Sequence, residues 1–264
     1  MEAMIHVHHG TAPLIVAMPH TGVDLAELDN HFASPWLARR DADWHIETLY
    51  SFARDLGAAV VRTTISRSVI DVNRDPSGAS LYPGQATTEL CPTTTFDGER
   101  LYRAGTPDAT EIARRRVAYF DPYHFALAAE VERLRAAHPR IVLYDAHSIR
   151  SRIPRLFDGE LPQFNIGTNN DATCAPELTA AVSAACTADH IVNGRFKGGW
   201  TTRHYGRPAQ GVHAIQMELA IRGYAAEPSV PDATNWPPRY DPAYAAPLVA
   251  TLRNVLNTCL DFAQ

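Results

Sequence analysis

Short apolar runs alternate with helical segments along this chain of 264 residues, and no other feature constrains its fold as strongly. Apolar runs of strand length lie at residues 13–18, 58–63, 69–72, 140–145, 190–193 and 212–221. Apolar residues recur at helical spacing over residues 41–56, 108–137, 175–188 and 247–262, and Asp121-Pro122 is expected to interrupt the second of these segments. This β-α-β order predicts one α/β domain over residues 1–264, in which helices flank a mixed, mostly parallel sheet.

Three stretches of the chain show no regular period. Residues 1–12 are expected to form a flexible N-terminal tail, whose histidines have no necessary role. Residues 75–107 are rich in Pro, Gly and Thr, and a further loop covers residues 149–173. Long loops inside a domain usually carry function or pack over a site. One of these two loops is therefore expected to close over a ligand.

The charge balance argues against a nucleic-acid partner. The chain has 24 Lys and Arg against 29 Asp and Glu, a net charge of −5, whereas nucleic-acid binders need a basic face. Its four cysteines include no Cys-x-x-Cys pair, which predicts reduced thiols. No signal peptide and no apolar window of about 20 residues is present, so neither export nor a membrane span is expected. These features predict a cytoplasmic protein, and they leave room for a small anionic substrate, which needs only one or two local arginines.

Two histidines stand at the ends of separate apolar runs. His20 follows the first run and His147 follows the fourth, and ligands bind outside the carboxyl ends of strands in α/β sheets. Either histidine alone is more typical of a hydrogen-bonded loop residue, but two at one edge can share a ligand. With one carboxylate they would make a catalytic metal site that keeps an open position. Asp41 or Asp43 can supply this carboxylate, while the other caps the helix predicted to begin there.

Other polar residues lie within or beside apolar sequence. Arg67, Asn73 and Arg74 are flanked by Ile and Val, so they are expected to reach into a cleft, where the planar fork of arginine suits a carboxylate. A surface ion pair is the alternative for each arginine. Glu218 lies inside the run at 212–221, and burial would raise its pKa toward the range of a general base. An ion pair with Arg222 is the alternative for Glu218.

A further group of candidates lies between the last two runs. Lys197 precedes a Gly-Gly turn that could approach a ligand closely, and Arg203 and His204 follow within the same segment. As motifs these are weak, and His204 is more typical of a loop histidine.

Six short motifs, taken together, resemble the N-formylglutamate amidohydrolase family over residues 13 to 226. They are Pro19-His20-Thr21-Gly22, Asp41-Ala42-Asp43-Trp44, SRSVIDVNR at 66–74, Asp145-Ala146-His147-Ser148, Lys197-Gly198-Gly199 and Gln216-Met217-Glu218. The SRSVIDVNR stretch with the downstream DAHS motif is the most specific part. The resemblance implies a fold similar to that of zinc carboxypeptidases and aspartoacylases.

The resemblance also implies one divalent metal ion, for which zinc is expected. The relatives of the family use a His-x-x-Glu pair for two ligands, but Val23 stands three residues after His20 in this chain. Asp43 is the natural replacement and is preferred over Asp41 on this ground. The implied ligands are therefore His20, Asp43 and His147, and Glu218 is the implied general base.

The implied reaction is the hydrolysis of N-formyl-L-glutamate to formate and glutamate, a step of histidine degradation. By resemblance, Asn73 and Arg74 grip the substrate α-carboxylate, Arg67 lies near the scissile carbonyl, and Lys197 or Arg203 reads the side-chain carboxylate. Two alternatives remain: a zinc deacylase for another N-acyl amino acid, such as N-formylaspartate or an N-acetyl amino acid, and a non-catalytic amino-acid-binding protein on the same fold. The sequence does not indicate an oligomeric state.

Overall fold

One seven-stranded sheet runs through the computed structural model, which describes residues 3–264, in the order β1-β3-β2-β4-β7-β5-β6. The strands are β1 Ile5–His8, β2 Leu14–Met18, β3 Ala59–Thr63, β4 Ile141–Ile149, β5 Phe164–Gly167, β6 His190–Val192 and β7 Val212–Ala220. β2 pairs in parallel with β3 and β4, β4 with β7, and β5 with β6. β1 pairs antiparallel with β3, and β5 with β7. The predicted mixed, mostly parallel α/β sheet is confirmed.

Helices cover both faces of this sheet. The helices are α1 Pro35–Arg40, α2 Ile46–Leu49, α3 Ala109–Arg115, α4 Asp121–Ala137, α5 Pro176–Ala185, α6 Trp200–Tyr205 and α7 Pro242–Ala263. Short 3-10 turns lie at Ala26–Leu28, Ser51–Ala53, Pro208–Gln210 and Ile221–Gly223, and the π-helical turn Arg116–Phe120 joins α3 to α4. Alternate residues of a strand point to opposite faces. Leu14 and Val16 accordingly pack with α2, α5 and α7, whereas Ile15 and Ala17 pack with α4.

The strand register brings the polar residues of the central strands together. β4 and β7 run in parallel with His147 opposite Glu218 and Asp145 opposite Gln216. His20 comes two residues after the end of the neighbouring strand β2. Because parallel strands end at the same edge of the sheet, these side chains share one crevice at the carboxyl edge.

The prediction of one continuous helix over residues 41–56 is wrong. After α1, the chain instead forms a turn, α2 and the 3-10 turn Ser51–Ala53. His45 adopts a left-handed φ of 67°, which a continuing helix does not allow, and the Asp43 amide donates to His20 O at 2.9 Å. Asp41 is therefore the residue that ends α1 and does not cap a following helix.

Three other predictions of local structure are also wrong. Residues 69–72 form turns, although their apolar side chains are buried as expected. Ile5–His8 form the edge strand β1, within the stretch predicted to be a flexible tail. Phe164–Gly167 form β5 within the predicted loop 149–173. Over residues 3–264, no helix has the length and apolar character needed to span a membrane.

Candidate active site

Three buried side chains form a cluster at the carboxyl edge of the sheet. One donor atom from each of His20, Asp43 and His147 lies within 4.8 Å of the other two. His20 follows β2, His147 projects from β4, and Asp43 lies in the turn after α1 that is hydrogen-bonded to His20. The structure thus brings together the three residues that the sequence suggested as metal ligands, with Asp43 in the cluster and Asp41 outside it.

A second carboxylate orients each histidine ring. His20 Nε2 donates to Asp71 Oδ1 at 2.6 Å, and His147 Nε2 lies 3.0 Å from Asp145 Oδ2. These contacts turn the Nδ1 atoms of His20 and His147 toward Asp43 Oδ2, at 3.7 and 3.0 Å. Metal-binding histidines usually have such a carboxylate partner on the other ring nitrogen. The sequence reasoning assigned no role to Asp71 or Asp145, although Asp145 precedes His147 by two residues and so shares its strand face.

The donor set fits a divalent metal ion. Asp43 Oδ1 is buried and makes no hydrogen bond within residues 3–264. The nearest cation in the described chain is Arg67, whose Nη1 lies 3.8 Å from Asp43 Oδ1. A buried carboxylate oxygen without a hydrogen bond is costly, and a bound cation would offset that cost. Two imidazoles and one carboxylate are a ligand set of catalytic zinc sites that leaves one position free.

Burial and the neighbouring charges shift the pKa values of the two rings in opposite directions. Burial, with help from the Arg67 cation, lowers the pKa of His20. Burial also acts to lower the pKa of His147, but Asp145 and then Asp43 outweigh it and raise that pKa well above its ordinary value. A dense negative charge thus faces the His147 ring, as a metal cation would require.

Glu218 faces the cluster from the neighbouring strand. It pairs with His147 in the β4–β7 register and lines the same cavity. Burial raises the pKa of Glu218 to about 8, opposed by His147 and reinforced by Asp43. A carboxyl group with this pKa exchanges a proton readily near neutral pH, as a general base must.

Arg67 places a positive charge directly beside the cluster. Its guanidinium donates from Nη1 to His20 Nδ1 at 3.1 Å and from Nη2 to Asp71 Oδ2 at 2.7 Å, and it packs over the Phe96 ring at 4.7 Å. Asp41 Oδ2 accepts a hydrogen bond from the Phe96 amide at 2.7 Å. Asp41 therefore fixes the loop that covers Arg67, and this contact is its observed role.

A cavity opens next to the cluster. Residues of both long loops line it, including Tyr82 and Thr88 from the stretch 75–107 and Leu156 from the stretch 149–173. Three arginines contribute to its wall: Arg67, Arg74 and Arg195. The cavity therefore offers cations to an anionic ligand within reach of the candidate metal ligands.

Asn73 lines the cavity, but its amide group is already engaged. Nδ2 donates to Asp145 Oδ2 at 3.0 Å and lies 2.9 Å from His147 Nε2, while Oδ1 accepts the Thr201 amide at 2.7 Å. These contacts tie Asn73 to the Asp145–His147 pair, and its contact with a substrate carboxylate stays a prediction.

We expect Gly199→Ala to impair activity through Asn73. A Cβ at this position would lie 2.5 Å from Asn73 Nδ2, and the Gly199 φ of −87° is open to alanine, so contact and not backbone strain is the cause. Loss of such an orienting contact typically costs about 10- to 100-fold in activity or metal affinity. Steady-state kinetics beside the melting temperature would measure the effect. A Gly199→Ala protein with wild-type kcat would show that Asn73 has no positioning role.

Three residues predicted to contact substrate lie elsewhere. Within residues 3–264, the lining of this cavity includes none of Lys197, Arg203 and His204. Arg203 Nε donates to Gly198 O at 2.9 Å, and the His204 ring stacks on Trp200 at 4.8 Å between centroids. None of the three side chains lines this cavity, and their contact with substrate stays a prediction. The sequence reasoning missed Arg195 instead, since nothing in its local pattern distinguishes it from Arg203.

Comparisons with known proteins point to one family. The model of a family described as N-formylglutamate amidohydrolase matches residues 12–225. Two bacterial proteins named N-formylglutamate deformylase, from Pseudomonas putida and Pseudomonas aeruginosa, are each 46% identical to this chain over 233 residues. The aligned region is 86% of this chain and 87% of each relative.

Two crystal structures share the fold. An N-formylglutamate amidohydrolase from Ralstonia eutropha JMP134 superposes with a TM-score of 0.76 at 22% identity, covering 98% of this chain and 96% of the other. A gene product from Agrobacterium tumefaciens superposes with a TM-score of 0.72 at 15% identity, covering 100% and 96%. At these identities the superpositions establish the architecture of the whole chain.

Proposed function

Because this chain belongs to the N-formylglutamate amidohydrolase family, we propose that it hydrolyses N-formyl-L-glutamate to formate and L-glutamate. The observation that carries the proposal is the buried cluster of His20, Asp43 and His147 with Glu218 opposite His147 on the next strand. This arrangement supplies the parts needed to cleave an amide with water: ligands for an ion, a proton acceptor and nearby cations. We assign the reaction to histidine degradation and to the cytoplasm as part of the same proposal.

The metal ligands in this proposal are His20, His147 and Asp43. The two imidazole rings and the carboxylate would hold one divalent ion, and His20 Nδ1 would then exchange its hydrogen bond from Arg67 for the ion. Zinc is the ion that best suits this donor set. Bound there, the ion supplies Lewis acidity, which lowers the pKa of a water molecule and polarises a carbonyl oxygen. Asp71 and Asp145 keep the two rings in the required orientation.

Glu218 acts as the general base and then as the general acid. Its carboxylate accepts a proton from the attacking water as the oxygen adds to the formyl carbon. It then donates that proton to the glutamate nitrogen as the C–N bond breaks, so formate and the free amine leave. A pKa of about 8 suits both steps, because near neutral pH the group can take up a proton and can also give it up.

Arg67 stabilises the negative charge that develops on the formyl oxygen. Its guanidinium lies beside His20 and is held rigidly by Asp71 and the Phe96 ring. A donor fixed in advance needs no reorganisation during the reaction, and one such donor is typically worth about 3–4 kcal/mol.

Arg74 binds the substrate α-carboxylate. Its guanidinium is anchored by Thr88, with Nε donating to the carbonyl oxygen at 3.1 Å and Nη2 to Oγ1 at 3.2 Å. The Asp71 carboxylate lies 3.8 Å away and is already bonded to His20 and Arg67, so it balances Arg74 only weakly. A cation held this way in the cavity wall can pair with an incoming carboxylate.

Formate release tests the proposal. We expect purified protein supplied with zinc to release formate rapidly from N-formyl-L-glutamate, and to lose this activity on chelation. N-formyl-L-aspartate and N-acetyl-L-glutamate, assayed beside it, should react more slowly. Chelator-sensitive turnover confined to one of these other compounds would establish a deacylase of different specificity. Absence of turnover on all three compounds by metal-replete protein would refute a hydrolytic function for this substrate class.

A further inference from the structure

Arg195 is a cation in the cavity wall that has no acidic partner among residues 3–264. Within residues 3–264, no Asp or Glu oxygen lies at ion-pair distance from its guanidinium. Burial lowers the pKa of Arg195, and the neighbouring Arg74 charge acts in the same direction. A partly desolvated cation without a counterion is unfavourable in the free protein, and an anion in the cavity would relieve that cost.

The guanidinium of Arg195 is nevertheless fixed in place. Nε donates to Leu156 O at 2.8 Å and Nη2 to Ala86 O at 2.5 Å. The rings of Tyr82 and Phe196 lie 5.5 and 5.4 Å from its central carbon. Nη1 makes no hydrogen bond to the described chain, so the fork keeps donors available for a ligand.

The other two arginines of the cavity contact the candidate metal cluster or Asp71, the carboxylate that orients His20. Arg67 bonds to Asp71 and His20, and Arg74 lies 3.8 Å from Asp71. Arg195 makes no hydrogen bond or ion pair with a cluster residue or with Asp71. Among the cavity arginines it is therefore the one without such a contact.

The arrangement of Arg74 and Arg195 matches the arrangement of the two carboxylates in an N-acyl acidic amino acid. The α-carboxylate is attached to the carbon next to the scissile nitrogen, so it must lie close to the cluster. The side-chain carboxylate of glutamate lies further out by the length of its side chain. Arg74 suits the first position, and Arg195 suits the second.

We propose that Arg195 binds the side-chain carboxylate of the substrate and selects an acidic side chain over a neutral one. This inference rests on the proposed function for its choice of substrate. The sequence favoured Lys197 or Arg203 for this contact, and the inference assigns it to Arg195 instead.

Arg195→Met tests the assignment, since methionine keeps much of the apolar stem and removes the charge. We expect kcat/KM for N-formyl-L-glutamate to fall about 10- to 100-fold, as for loss of a charge-assisted hydrogen bond. The kcat/KM for N-formyl-L-glutamine, a neutral molecule of the same shape, should change little. The acid-over-amide preference would thus collapse, mainly through KM, and Arg195→Lys should restore part of it.

Arg203→Met is the matched comparison. Arg203 also packs over Tyr82, at 5.2 Å, but it does not line the cavity. We expect this variant to keep the preference for N-formylglutamate over N-formylglutamine. An undiminished preference in Arg195→Met, or its loss in Arg203→Met instead, would overturn the inference.

A binding measurement separates this inference from the proposed function. Calorimetric titration with L-glutamate and L-glutamine reports the carboxylate contact without turnover. Weaker glutamate binding by Arg195→Met than by wild type, with glutamine binding equal in both, supports the role of Arg195 even if no formate is released. Equal glutamate binding by the two proteins, or none by wild type, would contradict that role even in an active deformylase.

Discussion

Glu218→Gln should lower kcat by about 100- to 10,000-fold, the range that general acid–base catalysis contributes. Glutamine is close to glutamate in size and retains polar atoms, but it cannot take a proton from water or pass one to the leaving nitrogen. The substituted residue is not a ligand in the proposed site, so metal content and KM should stay near their wild-type values. Initial rates of formate release, with metal content by elemental analysis, would measure the change.

The matched control for this variant is Glu130→Gln, which removes another buried carboxylate. Glu130 pairs with Arg133 and His9, and Arg133 in turn donates to Gly10 O, before the amino end of β2 and so away from the site. We expect Glu130→Gln to lower stability and to leave kcat near wild type. If Glu218→Gln turned over substrate at close to the wild-type rate, the general base would have to be another residue.

Asp43→Asn should remove both the metal and the activity. The Asp43 carboxylate faces both histidine rings, and its second oxygen has no hydrogen-bond partner in the described chain. An amide supplies no negative charge to a cation at that position. We expect metal content, measured after dialysis, to fall far below one ion per chain, and turnover to fall by about 1,000-fold or more, the equivalent of about 4 kcal/mol.

Asp41→Asn is the control for Asp43→Asn, two residues earlier in the same motif. Asp41 is also buried, but it bonds to the Phe96 amide and lies near Arg40 and Arg150. This variant should keep its metal, with any loss of activity arising from the loop that carries Phe96. Full metal occupancy in Asp43→Asn, or its loss in Asp41→Asn alone, would reverse the choice between the two carboxylates.

The sequence predicted well those features that leave a local signal. Apolar runs marked five of the seven strands. Four of these, β2, β3, β4 and β7, are buried, and a buried parallel strand is apolar on both faces. His20, His147 and Glu218 stood out because polar residues at or inside such runs need a reason to be there. Asp43 was separated from Asp41 only through the family resemblance.

Features set by tertiary contacts escaped the same reasoning. β1 carries two histidines in four residues and forms only as an edge strand against β3. The partnership of Asp71 with His20 depends on how the turns after β3 fold back, which no short-range period encodes. Arg195 and Arg203 are eight residues apart, and only the folded chain determines which of them reaches the cavity.

Because of the register between β4 and β7, these strands tolerate fewer changes of sequence than the loops around them. A shift of a single residue in either strand would send His147 or Glu218 to the opposite face of the sheet. Insertions and deletions are therefore excluded from these strands, whereas surface loops accept them. The proposed metal ligands and general base lie on or against this rigid frame, and the contacts of Arg195 come from loops alone. Descendants of such a chain can thus acquire new substrates by remodelling loops while inheriting an unaltered hydrolytic apparatus.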